Sequence, residues 1–189
     1  MYEAKKFENL IGMSGFSDVL LTNHIKLYEG YVNNTNKLME LLAEKEAGTP
    51  EYAELHRRFG WEWNGMRLHE LYFGNMMPKS EALAEGNLKK KIEEVFGSFE
   101  KWEADFIGAG LMRGIGWVVL AHDKESGELF NVWINEHDAG HLTGATPLLV
   151  MDVFEHAFIL DYGMNRKDYI DAFVKNINWT EVESRFKER

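Results

Sequence analysis

Residues 146–158, "TPLLVMDVFEHAF", carry an apolar run directly into Asp152, and His156 follows four residues later. On an exposed helix face, a carboxylate and an imidazole at that spacing make an ordinary ion pair. Beside a hydrophobic run they are buried, and buried ionisable groups must be paired or bound to a metal. Two further histidines could join them. His24 lies in "TNHIKLYEGY", with Tyr28 and Tyr31 following at i+4 and i+7 on the same helix face. His69 lies in "RLHELYF". Taken singly, either histidine reads as readily as a satisfied core or surface residue. His56 in "ELHRRFG" and His122 at a hairpin turn read as solvated surface residues. The chain has seven histidines and no cysteine, so imidazole and carboxylate are its strong metal ligands. Such ligands suit iron, manganese or zinc.

The elements that must bring these residues together can be read from periodicity and punctuation. The stretch from Ser17 to Gly48 reads as one long helix or two consecutive ones, capped by Ser17. A second helical stretch starts at Thr49 and Pro50 and ends by Pro78. Residues 80–113 predict two shorter helices joined at Gly97 and Ser98. The pattern then changes: Trp117–Ala121 and Leu129–Ile134 are β-rich runs around an Asp-Lys-Glu-Ser-Gly turn, a hairpin signature. "TPLLVMD" is a third strand candidate, followed by helices near 154–161 and 165–176. The fold class expected is α+β. It has an N-terminal lobe of long antiparallel helices (1–84) and a C-terminal lobe (85–189) with a three-stranded antiparallel sheet flanked by helices. Ligands from both lobes would meet in the crevice between them.

Composition excludes several classes. A 45% hydrophobic content supports a folded core, and a net charge of −10 disfavours a nucleic-acid surface. Without cysteine there are no disulfides, iron–sulfur ligands or thiol nucleophiles. No apolar run reaches membrane-spanning length, and "MYEAKKFENLIGMSGF" lacks the core of a signal peptide. A cytoplasmic protein is expected, with no membrane and no nucleic-acid partner. The residues alone lead as far as a two-lobed metalloprotein.

The order of several segments goes further. "DVFEHAFILDYGMNRKDYIDAFVKNINWTEVESRF" resembles the C-terminal signature of the iron/manganese superoxide dismutases. "FGSFEKWEADF", "GIGW", "ATPLL", "GYVNNTNKL" and "HELYF" are similar to further blocks of that family in the right order. The resemblance implies that His24, His69, Asp152 and His156 bind one iron or manganese ion per chain. The activity implied is conversion of superoxide to dioxygen and hydrogen peroxide. Tyr31 would be the gateway tyrosine of the solvent funnel, and Trp117 a wall of the metal pocket. Glu155 would reach across a homodimer interface, with a tetramer as two dimers together. His137, fifteen residues before Asp152, falls where family members place a glutamine or histidine beside the metal. The alternative place for that group holds Gly65, and His141 competes with His137 if the loop alignment slips. A histidine there favours iron over manganese.

The chain also departs from the family pattern. His24 and Tyr31 are seven residues apart rather than eight, which points to a regular helix without a π-bulge. Tyr28 and Ile159 replace a histidine at the funnel mouth and the tyrosine that pairs with it across the dimer. Phe154 and Val119 replace two tryptophans, Val119 opening space, and Arg67 stands where a small or apolar residue is usual. Lys26 and Arg166 are candidates for guiding an anionic substrate into a protein of negative net charge. An alternative on the same scaffold is a metal-binding redox or stress protein with little dismutase activity. A non-haem iron oxygenase is disfavoured, because its usual site has only two histidines and a carboxylate.

Overall fold

The computed structural model describes residues 1–187. Two long helices come first, α1 (Asp18–Glu44) and α2 (Pro50–Gly74). Ser17 Oγ accepts the Leu20 amide and Thr49 Oγ1 the Tyr52 amide, so each helix opens on a capped first turn. α2 stops at Gly74, short of Pro78, because Asn75 leaves the helix to bond elsewhere. Its side-chain amide donates to the carbonyls of Tyr72 and Val150, and its Oδ1 accepts the Val150 amide. This pins the end of the helical hairpin to the sheet.

Two shorter helices follow, α3 (Asn87–Phe96) and α4 (Phe99–Gly110). Gly97 takes the left-handed conformation at their joint and Ser98 caps the second. The strands β1 (Trp117–His122), β2 (Leu129–Ile134) and β3 (Thr146–Asp152) form one antiparallel sheet in the order β2-β1-β3. β1 is central and buried on both faces; α2 packs on the sheet at β3 and α4 at β1 and β2. The chain closes with α5 (Ile159–Tyr162), α6 (Arg166–Val174) and α7 (Trp179–Lys187). The single helix expected near 154–161 is instead a 3-10 turn at Glu155–Ala157 followed by α5. The α+β architecture is therefore the one expected, with one continuous core running from Leu20 and Tyr72 through β1 to Phe173.

Register does the positioning. Trp117, the first residue of β1, pairs with Asp152, the last of β3, and with Ile134, the last of β2. The same end of the sheet therefore presents Trp117, Asp152 and the loop that follows Ile134. Gly116 makes that end possible: with φ +122°, any Cβ there would lie 1.9 Å from the Ile134 carbonyl oxygen.

Candidate metal centre

α1 contributes His24, α2 His69, the end of β3 Asp152, and the following 3-10 turn His156. One ligand atom from each lies within 4.8 Å of the others. The Nε2 atoms of His24, His69 and His156 stand 3.2, 3.7 and 3.1 Å from Asp152 Oδ2. His24, His69 and Asp152 are fully or almost fully buried; the His156 side chain is 30% exposed.

The donor chemistry asks for a cation. The Gly65 carbonyl can only accept, so His69 Nδ1, 2.6 Å away, carries the proton. Burial lowers the His69 pKa well below its ordinary value, with neighbouring His24 adding to the effect, so the ring is neutral and its Nε2 carries a lone pair. That lone pair faces a carboxylate oxygen. His24 Nε2 and His69 Nε2 are both buried without a hydrogen-bond partner. Two such orphans cost roughly 1–3 kcal/mol each. A metal ion among the four groups would satisfy them together. Asp152 is ionised for the same reason: burial alone would raise its pKa, but the histidines, His156 foremost, hold it far below the carboxylate range. Its other contacts fix it, with Oδ1 accepting the Phe154 amide at 2.8 Å and its carbonyl accepting the Tyr169 hydroxyl at 2.6 Å.

Around these four stands a wall of rings. Trp117 packs edge-on against His69 with centroids 4.9 Å apart, and Phe154 stacks on His156 at 5.3 Å. Tyr31 stacks on His69 at 5.1 Å. α1 is α-helical throughout Asp18–Glu44, so the seven-residue spacing is accommodated as two regular turns. Gly65 supplies the room: a Cβ there would lie 2.6 Å from a Tyr31 ring carbon.

His137 is fully buried, whereas His141 is exposed. The Trp117 indole N–H donates to His137 Nδ1 at 3.0 Å. An indole can only donate, so Nδ1 accepts and the neutral ring carries its proton on Nε2, which lies 2.8 Å from the Tyr31 hydroxyl. Burial depresses the His137 pKa from 6.5 to about 4, keeping it neutral. Burial, with nearby Asp152 adding to it, pushes Tyr31 up to about 12, keeping its phenol protonated. His141 lies beside His137 in another capacity: its Nε2 is 2.7 Å from the His137 carbonyl oxygen.

The other expected residues are held as follows. Tyr28 is fully buried and stacks on His69 with ring centroids 6.5 Å apart; its hydroxyl donates to Glu70 at 3.1 Å and accepts the Lys5 amide at 2.8 Å. The apolar packing of Phe7 and Phe73 around its ring turns it toward that pair. Arg166 is no free guide for anions, since it donates to the carbonyls of Gly110, Met112 and Gly114 and closes the loop before β1. Lys26 is exposed, as are Glu155 and Ile159. His56 is exposed, but His122 is only half-exposed and packs on Phe186 at 4.9 Å. Arg67 bonds Glu70 at 2.6 Å and lies over the rings of Tyr2 and Trp63. Val119 lines a small apolar cavity of about 100 Å³ with Ala121, Leu68 and Leu142.

One residue of the site has no expectation attached to it. Trp61 packs edge-on against His137 with ring centroids 4.6 Å apart. In sequence it sits in the polar-aromatic stretch "RRFGWEWNG", whose periodicity gives no sign of a site.

Comparison with known proteins agrees with this geometry. Residues 84–185 match the family described as iron/manganese superoxide dismutases, C-terminal domain. The chain is 38% identical to a manganese superoxide dismutase of Haloferax volcanii, over 90% of this chain and 86% of that protein. It is 37% identical to an iron superoxide dismutase of Cupriavidus metallidurans, over 92% of this chain and 90% of that protein. To the iron superoxide dismutase of Aquifex pyrophilus it is 37% identical, over 93% and 86% respectively. The chain belongs to the iron/manganese superoxide dismutase family.

Proposed function

We propose that this protein converts superoxide to dioxygen and hydrogen peroxide at one iron or manganese ion held by His24, His69, Asp152 and His156, between the lobes 1–84 and 85–189. The observation that carries the reading is the pair of buried, orphaned imidazole nitrogens turned toward a buried carboxylate. A bound iron or manganese ion would supply a one-electron couple. The chain's own residues manage the protons, of which two are needed for each peroxide formed. Tyr31 holds one on its hydroxyl. Because His137 Nε2–H donates to that oxygen, the phenolic proton is directed away from His137 and available to an acceptor in the metal pocket. His137 Nε2–H goes on donating its hydrogen bond to the oxygen and stabilises the phenolate until a proton returns from solvent. Trp117 and Phe154 keep bulk water off the ligands.

The experiment is dismutation per bound metal ion, measured on protein loaded separately with iron and with manganese. High turnover in one form names the metal, with iron the form expected from a histidine at position 137. Stoichiometric metal with negligible turnover in both would leave a metal-binding protein without this activity. His156→Ala should lose its metal, and normal metal content in that variant would remove His156 from the ligand set.

We propose a homodimer as well, able to pair into a tetramer. Ile159, Leu160 and Met164 are 44%, 58% and 92% exposed beside Glu155 and the half-covered His156. A second copy on that patch would bury both. Light scattering after size exclusion decides the stoichiometry. Among the described residues no helix is long and apolar enough to cross a membrane; a cytoplasmic location remains the proposal.

A further inference from the structure

His137 lies in a segment, 135–145, with no helix or strand to hold it. Asn135, Asp138, Ala139 and Gly140 around it are exposed, yet its own side chain is fully buried. A loop without a backbone ladder keeps one conformation only where surrounding side chains define it. Two of those constraints are the bonds to Trp117 and Tyr31. A third is steric and comes from α2. The edge-to-face contact with Trp61, 4.6 Å between centroids at 64°, is closer than the ring contacts His137 makes with Phe154 (4.9 Å) or Tyr31 (5.0 Å).

Trp61 is itself backed. The Arg58 guanidinium lies over its ring at 5.2 Å. Arg58 is fixed by Glu62, with Nε at 2.8 Å and Nη2 at 2.7 Å from Oε1. Glu62 is buried, and its second oxygen accepts from Asn34 at 3.2 Å. Asn34 stands one turn beyond Tyr31 on α1. A buried carboxylate with both oxygens engaged is costly to disturb, so this chain of contacts makes a firm base for the indole. It runs from α1 through α2 to the loop and ends on the imidazole.

We infer that Trp61, backed by Arg58, is a positioning residue that fixes the His137 ring and, through its Nε2, the Tyr31 hydroxyl. The inference rests on the function proposed above for what that fixing accomplishes. Without the indole, the His137 ring has free space on the side facing α2. The loop can then swing, and Nε2 loses its place beside the phenol.

Trp61→Ala and Trp61→Phe, each as metal-loaded full-length protein, test this by metal content, amide hydrogen exchange and steady-state kinetics. Both should retain full metal content. In Trp61→Ala, exchange across 135–145 should quicken about tenfold while α1 and β3 stay as in the wild type. Its kcat should fall about tenfold. Trp61→Phe, which restores a ring edge, should recover most of both. Wild-type exchange across 135–145 in Trp61→Ala overturns the inference whatever the turnover. So does faster exchange spread evenly over all elements, or an equal loss in both variants, since either makes Trp61 a packing residue only. Should Trp61→Ala not fold, Arg58→Lys keeps a cation beside buried Glu62 but removes the planar guanidinium from the indole: exchange in 135–145 should rise about threefold, and no change overturns the assignment. Exchange is read without turnover, so a protein inactive with either metal would sink the proposed function while leaving this positioning result intact.

Discussion

The Trp117 indole donates to His137 Nδ1 at 3.0 Å, and this single bond decides on which nitrogen the imidazole keeps its proton. Trp117 can do this because its strand register places it between Asp152 and the start of the His137 loop. Trp117→Phe keeps a ring in the wall but removes the donor. His137 is then free to carry its proton on Nδ1, leaving Nε2 as an acceptor and reversing the bond to Tyr31. Metal content should be unchanged and kcat should fall about tenfold, the loss typical of an impaired proton donor being at least that large. Unchanged kcat would show that the tautomer does not matter.

Gly65 and Tyr31 are coupled by space. A Cβ at position 65 would meet three Tyr31 ring carbons at 2.6, 2.7 and 3.0 Å. Alanine is a better helix former than glycine by about 1 kcal/mol, so without the clash Gly65→Ala would stabilise α2. With it, the ring must move, and a net destabilisation of about 1–2 kcal/mol is expected. In a Tyr31→Ala background the sign should reverse. A double-mutant cycle by urea unfolding reads the coupling directly, and additive effects would mean that the phenol moves aside at no cost.

How much of this was legible beforehand follows from what kind of signal each residue carries. The long helices α1 and α2, the hairpin and β3 are legible through periodicity and caps such as Ser17 and Thr49, because those signals are local; α7 and the break of 154–161 into a 3-10 turn and α5 are not. The convergence of His24, His69, Asp152 and His156 was suggested by ordered segments resembling a family, not by spacing alone, since the residues are distant in the chain. For Tyr28 the helix face fixes the direction, with its ring stacked on His69, but not the hydroxyl partners, which are Glu70 and the Lys5 amide. Arg166 reads as a surface cation in sequence because the carbonyls it serves, before β1, lie more than fifty residues away and leave no local pattern. Trp61 was silent because a contact between a helix and an irregular loop leaves no period in either.

The cavity beside Val119 offers a stability test that leaves the site's chemistry alone. It holds about 100 Å³ and is lined by Leu68, Ala121, Val132, Ile134 and Leu142 among others. Val119 is 3% exposed, so a larger side chain there grows into the cavity. Val119→Leu adds one methylene and should raise stability by about 0.5–1 kcal/mol. Thermal unfolding at matched metal content measures it. A lower midpoint would mean that the cavity walls do not admit the branch.

Acid should destabilise the metal-free protein in a window set by the buried imidazoles. Burial lowers the His137 pKa from 6.5 to about 4, so between those values the unfolded chain binds a proton that the folded one refuses. The stability this group contributes is complete above pH 6.5 and is lost as pH falls toward 4. The slope is at most one proton, about 1.4 kcal/mol per pH unit. Burial lowers His24 and His69 as well, and they act in the same direction; His156, raised by Asp152 against its burial, opposes them above pH 6.5. Urea midpoints at pH 7, 6 and 5 should therefore fall steadily in the wild type. His137→Gln, which cannot take up a proton, should show a shallower fall, by up to one proton. Identical slopes would mean that position 137 is open to protonation in the fold, and that the neutral imidazole inferred for the Tyr31 bond is not its resting state.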